Sequence, residues 1–138
     1  HSLLNQLDIQ KIKQAYILGS GGVSKTISFV LSKHNIKHKI VSRNPKGFQI
    51  SYQEMNQEFE NNALFINATP IGMHDMKNQT PDIDFKKLNS THQIFDLIYN
   101  PSPTLLMRLA KEKGVNAIDG SKMLFYQAER AWEIWQSK

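Results

Sequence analysis

The sequence predicts an α/β domain, a doubly wound parallel sheet flanked by helices in three layers, and three observations predict it. A short apolar run, Ala15 to Leu18, breaks into the turn Gly19-Ser20-Gly21-Gly22 and then into a helix-like pattern. A second strand-like run, His38 to Ser42, follows within about 30 residues, the span of a βαβ unit with parallel strands and a right-handed crossover. Two further apolar runs, Ala63 to Asn67 and Gln93 to Ile98, each lead into a loop that contains proline.

Composition sets the outer limits. At 138 residues the chain is expected to form a single domain, residues 1–138, with a core that needs no metal or staple. It has no cysteine, which excludes disulfides and thiolate metal sites and fits a reducing compartment. No apolar run reaches the ~18 residues of a membrane span and no basic-then-apolar leader is present, so a soluble, cytoplasmic protein without a membrane partner is expected. The net charge of +5 comes from scattered lysines without interleaved aromatic residues, which favours a solvated basic surface over a nucleic-acid interface. The five histidines lack ligand spacing and no metal is expected. There is neither a G-x-S-x-G elbow nor a P-loop lysine in its proper place.

In chain order, His1 to Lys13 has Leu3, Leu4, Leu7, Ile9 and Ile12 at roughly helical spacing without a start signal. It reads as the end of a preceding segment, which makes the chain a piece of a longer protein, or as a natural N-terminal helix. Tyr16-Ile17-Leu18 reads as a buried strand. Gly19, Gly21 and Gly22 then let the backbone turn sharply and leave no side chain between it and a pyrophosphate, with the next helix aiming its free N–H groups and positive dipole end at the anion. Ser24 stands where the full dinucleotide fingerprint has its third glycine, and a plain loop is the competing reading. Val23, Ile27, Val30 and Leu31 give the helix one apolar face, ending near His34-Asn35.

The end of the second strand separates two cofactors. An NAD site commonly has Asp or Glu there, to hold the ribose hydroxyls. This chain has Ser42-Arg43-Asn44-Pro45-Lys46, and Arg43 can fork onto a 2′-phosphate, the alternative being an exposed basic loop. A short strand is expected at Phe48–Ile50 and a helix over Tyr52–Glu58. Ala63–Asn67 is a strand whose exit, Asn67-Ala68-Thr69-Pro70-Ile71-Gly72-Met73, lies where ligands sit in such folds. Asn67 and Thr69 are candidates for lining a cofactor cleft, Asn67 alternatively being a structural turn residue. His74 to Ser90 reads as polar, exposed and without chemistry. Gln93–Ile98 is a strand leading to Tyr99-Asn100-Pro101, and Thr104–Lys113 an amphipathic helix stopped by Gly114. Val115–Ile118 is a strand running into Asp119-Gly120, after which Met123, Leu124, Gln127, Ala128, Ala131, Trp132 and Trp135 pattern a final helix. Gln127, polar among apolar positions, is either a satisfied core residue or a ligand contact.

These exits occur in the order seen in one family. Gly19-Ser20-Gly21-Gly22 with Lys25, Ser42-Arg43-Asn44, Asn67 to Met73, Asp96-Leu97-Ile98-Tyr99-Asn100-Pro101 with Thr104, and Asp119-Gly120 with Met123-Leu124 and Gln127-Ala128 cover nearly all of Ala15 to Trp135. The chain resembles the C-terminal, NADP-binding, Rossmann-like domain of the shikimate dehydrogenases, oxidoreductases of aromatic amino-acid biosynthesis. The resemblance implies NADP as cofactor, held by Gly19, Ser20, Gly21, Gly22 and Val23, by Ser42, Arg43, Asn44 and Lys46, by Asn67, Thr69 and Pro70, and by Ile98, Gly120 and Met123. It further implies that Tyr99 and Gln127 reach the substrate, shikimate or 3-dehydroshikimate. The family's phosphate loop reads N-R-T with a second arginine, whereas here Lys46 keeps the charge without the fork. The family's catalytic Lys, in an N-x-T-x-P-x-K-like motif, and its partner Asp belong to a substrate domain placed before this one. Neither occurs here, so no catalytic residue is assigned to this chain and binding without turnover is expected. A free-standing NADP-binding module, or the cofactor domain of a quinate/shikimate dehydrogenase, are the alternatives.

Overall fold

The computed structural model of the chain describes residues 9–98 and 103–120. Five strands, β1 (Gln14–Leu18), β2 (His38–Val41), β3 (Ala63–Asn67), β4 (Gln93–Asp96) and β5 (Asn116–Asp119), pair entirely in parallel in the order β2-β1-β3-β4-β5. Three helices, α1 (Gly22–Lys33), α2 (Tyr52–Glu58) and α3 (Leu105–Glu112), connect β1 to β2, β2 to β3 and β4 to β5.

Every residue of β3 is buried, as a central strand covered on both faces requires. The strand period of two sends alternate side chains into two cores. Ala15, Ile17, Leu64, Ile66 and Phe95 meet Ile27 and Leu31 of α1 on one face. Tyr16, Leu18, Phe65, Ile94 and Ala117 meet Met55 of α2 and Leu106, Met107 and Ala110 of α3 on the other. The expected doubly wound α/β arrangement therefore forms.

Several local expectations are corrected. Val23 is exposed, and Ser24 takes the buried place on α1, its small hydroxyl donating back to Gly21 O at 2.5 Å. α1 does end where expected, at Lys33, with Asn35 just beyond it left-handed at φ +60°. No strand forms over Phe48–Ile50: only Ile50 bridges to Val41, and Phe48 is fully exposed. β4 stops at Asp96 because the Ile98 N–H turns to the Asp96 carboxylate instead of continuing the ladder. The stretch from His74 to Ser90 is not uniformly exposed, since Ile83 and Leu88 enter the core. Asn56 holds that segment down, donating to Asp82 O at 2.8 Å and accepting from Asp84 N at 2.9 Å. Among the described residues no helix is long and apolar enough to cross a membrane.

Candidate functional site

The chain leaves β1 toward β2 on one side and reaches β3 on the other, so a crevice opens at the carboxyl ends of these strands, the place where open α/β sheets take ligands. The cleft has a volume of about 760 Å³, within the range of small-molecule sites. Gly19, Ser20, Gly21 and Lys25 form one wall. Ser42, Arg43, Asn44 and Lys46 form a second, with Gln49 and Tyr52 behind them. Ala68, Thr69, Pro70 and Ile71 form the third, with Met76 and Gln79 from the following segment.

The glycines do different work. Gly19 has φ +112°, and a Cβ there would lie 3.1 Å from Ala68 O and from Thr69 Cγ2, so a side chain would push the turn away from the β3 exit. Gly21 has φ −77° and ψ −171°, backbone that any residue adopts. A Cβ at Gly21 or Gly22 would meet no atom within 4 Å. Within this turn the protein's own packing thus demands a glycine at Gly19, while Gly21 and Gly22 leave space open. Gly21 is also the N-cap of α1 and offers no side-chain cap; Ser24 N donates to Gly21 O at 3.1 Å, and the helix's positive end is left without a side chain over it at the cleft wall that Gly21 lines.

The basic wall is tied to the sheet edge. Ser42 N donates to Ile50 O and Ile50 N to Ile40 O, both at 2.9 Å, and Asn44 N donates to Ser42 Oγ at 3.2 Å. Lys25, Arg43 and Lys46 are cations lining the cleft, and among the described residues no carboxylate lines it. Burial raises the pKa of Tyr52, and the nearby Arg43 guanidinium works against that rise.

The third wall hangs on a buried network. Asn67 donates from Nδ2 to Ile71 O and to Asp96 Oδ1, both at 3.1 Å. Its Oδ1 accepts from Thr69 N at 3.1 Å and from Thr69 Oγ1 at 2.6 Å. Asp96 Oδ1 also accepts from Ile98 N at 3.0 Å, and Oδ2 from Thr104 Oγ1 at 2.7 Å. Burial pushes the Asp96 carboxyl up; the donors Thr104, Ile98 and Asn67 oppose this, and the Asp119 charge adds to it.

Of the residues expected to hold a cofactor, Gly19, Ser20, Gly21, Ser42, Arg43, Asn44, Lys46, Thr69 and Pro70 converge on this cleft. Gly22 and Val23 sit in the first turn of α1 without lining it, and Asn67 is the buried turn residue that holds Thr69. Ile98 and Gly120 lie beyond β4 and β5, Ile98 buried and Gly120 pressed on Leu97 so closely that a Cβ would be 2.3 Å from Leu97 O. Met123, Tyr99 and Gln127 lie outside the described residues. Sequence reasoning passed over Gln49 and Tyr52, which follow the basic loop directly, and Met76 and Gln79, for which a polar stretch gives no signal.

No family model matches the chain. The shikimate dehydrogenase (NADP(+)) of Methanosphaera stadtmanae is 33% identical over 93% of this chain and 52% of its own length. The chorismate mutase/shikimate 5-dehydrogenase fusion protein from Clostridium acetobutylicum has a solved structure that superposes with a TM-score of 0.82 at 34% identity, over 99% of this chain and 52% of that one. A solved shikimate dehydrogenase in complex with NADP+ matches with a TM-score of 0.79 at 28% identity, over 99% of this chain and 53% of that one. The chain spans about half the length of these relatives. In sequence and in fold, it is a homologue of the shikimate dehydrogenases over that half.

Proposed function

We propose that this chain is the NADP-binding half of a shikimate dehydrogenase, the oxidoreductase that interconverts 3-dehydroshikimate and shikimate with NADPH. The observation that carries the reading is the meeting of a glycine turn without a side-chain cap and three cations in one cleft that, among the described residues, has no carboxylate in its lining. Such a lining suits a ligand that carries two separate phosphate groups. The open space before Gly21 and Gly22 accepts a pyrophosphate against the start of α1, and Arg43 with Lys46 meets a 2′-phosphate where an NAD site would carry an acid. The residues present therefore fit NADP. When bound, the cofactor supplies or accepts the hydride.

What these 138 residues contribute is binding and orientation. Thr69 and Pro70 line the cleft, and Gly120 and Met123 are assigned beside the nicotinamide. Tyr99 and Gln127 are assigned to substrate hydroxyl or carboxylate groups. The group that moves the proton at the substrate oxygen, and the opposite wall of the substrate cleft, are assigned to a separate substrate-binding domain, since neither the N-x-T-x-P-x-K-like motif nor its partner Asp occurs here.

The test is a titration of the chain with NADPH and NADH, repeated for Arg43→Ala. A hydrogen bond to a charged group is worth roughly 1.5–3 kcal/mol, less where solvent screens it, so NADPH should weaken about tenfold and NADH hardly change. Equal losses for both cofactors, or no preference in the unaltered chain, refute the assignment. The same preparation with saturating shikimate and NADP+ should show no steady turnover.

A further inference from the structure

The basic loop presents one guanidinium, Arg43, and one ammonium, Lys46, and an ammonium grips a phosphate as a point charge without the two-pronged geometry. A neighbouring residue compensates. Gln49 donates its backbone N–H to Lys46 O at 3.1 Å, and its side-chain Oε1 accepts the Lys46 N–H at 3.2 Å, so the two residues clasp each other across the turn. Gly47, at φ +61°, makes the tight turn possible. Because a backbone N–H can be accepted only by the amide oxygen, this bond fixes the orientation of the side-chain amide and leaves its Nε2 end, with two N–H donors, for the cleft that Gln49 lines. The next residue, Ile50, is bonded on both sides of its peptide to the β2 edge, through Ile40 O and Ser42 N. The amide is thus held in place before any ligand arrives, which limits the ordering cost of binding.

Resting on the NADP reading above, we infer that Gln49 is a specificity-determining residue of this cleft: its side-chain amide donates to the 2′-phosphate of the adenine nucleotide, and its clasp on the Lys46 backbone holds the turn from which that ammonium projects. The arrangement does with a lysine and a glutamine what a second arginine does by its fork.

Gln49→Glu separates the two roles. It keeps an oxygen to accept the Lys46 N–H, so the turn survives, and replaces the two donors with a negative oxygen facing the phosphate. Equilibrium titrations of the 138-residue chain with NADPH, NADH, adenosine 2′,5′-bisphosphate and 5′-AMP read the result. The expected outcome is a loss of roughly 10- to 100-fold for NADPH and for the bisphosphate, with NADH and 5′-AMP within about twofold of the unaltered chain. Gln49→Met, which removes the donors without adding charge, should weaken the two 2′-phosphorylated ligands by about three- to tenfold, and it keeps the test open if the glutamate variant fails to fold. Losses shared equally by both kinds of ligand, or no loss in either variant, overturn the role of Gln49. If the unaltered chain does not prefer the 2′-phosphorylated ligands at all, the NADP reading itself has failed, and with it this inference.

Discussion

Gly21→Val tests whether the glycine turn serves the fold or a ligand. In the fold the substitution should be nearly silent. Gly21 sits at φ −77°, ψ −171°, backbone that any residue adopts, and an added Cβ would find no atom within 4 Å. Exchanging glycine for valine at an N-cap costs at most about 1 kcal/mol, and about 0.4–1 kcal/mol returns because the unfolded chain becomes stiffer. The net change should stay within about 1 kcal/mol, a melting shift of roughly 4 °C for a chain of this size. Binding should behave differently. The branched side chain fills space at the wall where the proposed pyrophosphate approaches α1, and forcing that contact costs about 1–3 kcal/mol, or roughly 5- to 150-fold in affinity. Since both cofactors carry the pyrophosphate, NADPH and NADH should lose equally. Thermal melting and fluorescence titration of one preparation read both quantities. A folded Gly21→Val chain that binds NADPH normally refutes the assignment of the turn to a ligand, and a variant that melts far lower refutes the geometric argument about its surroundings.

Two further expectations concern the fold. Gly120→Ala should cost about 3 kcal/mol or more, read by urea unfolding, because its Cβ would lie 2.3 Å from Leu97 O and 2.8 Å from Leu97 C, backbone atoms that cannot swing aside; a melt like that of the unaltered chain would show that β4 and β5 shift readily against each other. His92 should make stability fall on the acid side: burial lowers its pKa, helped by the Lys87 charge and opposed by the bond to Glu60 O. A base depressed in the folded state contributes stability that is full above its unfolded pKa of about 6.5 and lost as pH falls through the lowered value. Urea unfolding at pH 7.5 and 5.5 should show that loss, and it should shrink in His92→Gln; an unchanged pH dependence would sink the idea.

How far the sequence could be read depended on how local the cause was. The span Ala63–Asn67 is a continuous apolar run buried on both faces, and Tyr52–Glu58 begins at a Ser51–Glu54 capping box, so both elements follow from residues within one or two turns. The basic wall was equally legible, since Arg43 and Lys46 simply follow the strand that places them. Ile83 and Leu88 were not, because single apolar residues in a polar stretch carry no period, and what brings them inward is Asn56, remote in the chain. On α1 the buried place that the apolar pattern gives to Val23 is taken by Ser24, whose hydroxyl is satisfied by Gly21 O. Asn67 could be read as a turn residue or as a ligand contact because either use needs the same amide; in the fold that amide is bonded to Asp96, Ile71 and Thr69.

Those bonds carry the argument past Asn67 itself. Asn67 and Asp96 are register partners on β3 and β4, and Asp96 pairs in turn with Asp119 on β5, so two carboxylates stand side by side at the ends of the strands. Burying a carboxylate that deeply is costly unless its lone pairs are used. Here they are, by donors from three different segments: Asn67 at the end of β3, the Ile98 backbone beyond β4, and Thr104 at the start of α3. Thr104 also caps α3, its Oγ1 accepting from Met107 N at 3.2 Å, and among the described residues no buried side-chain polar atom lacks a partner. Removing any one donor would leave a buried carboxyl oxygen short of a bond, so the three segments are held together by the cost of separating them. One of them is the Thr69–Pro70 wall of the cleft, through Asn67, and another is Ile98, the residue before Tyr99. On the function proposed here, the wall assigned to the cofactor and the segment that leads to Tyr99 share one support, Asp96, which is fully buried and does not line the cleft.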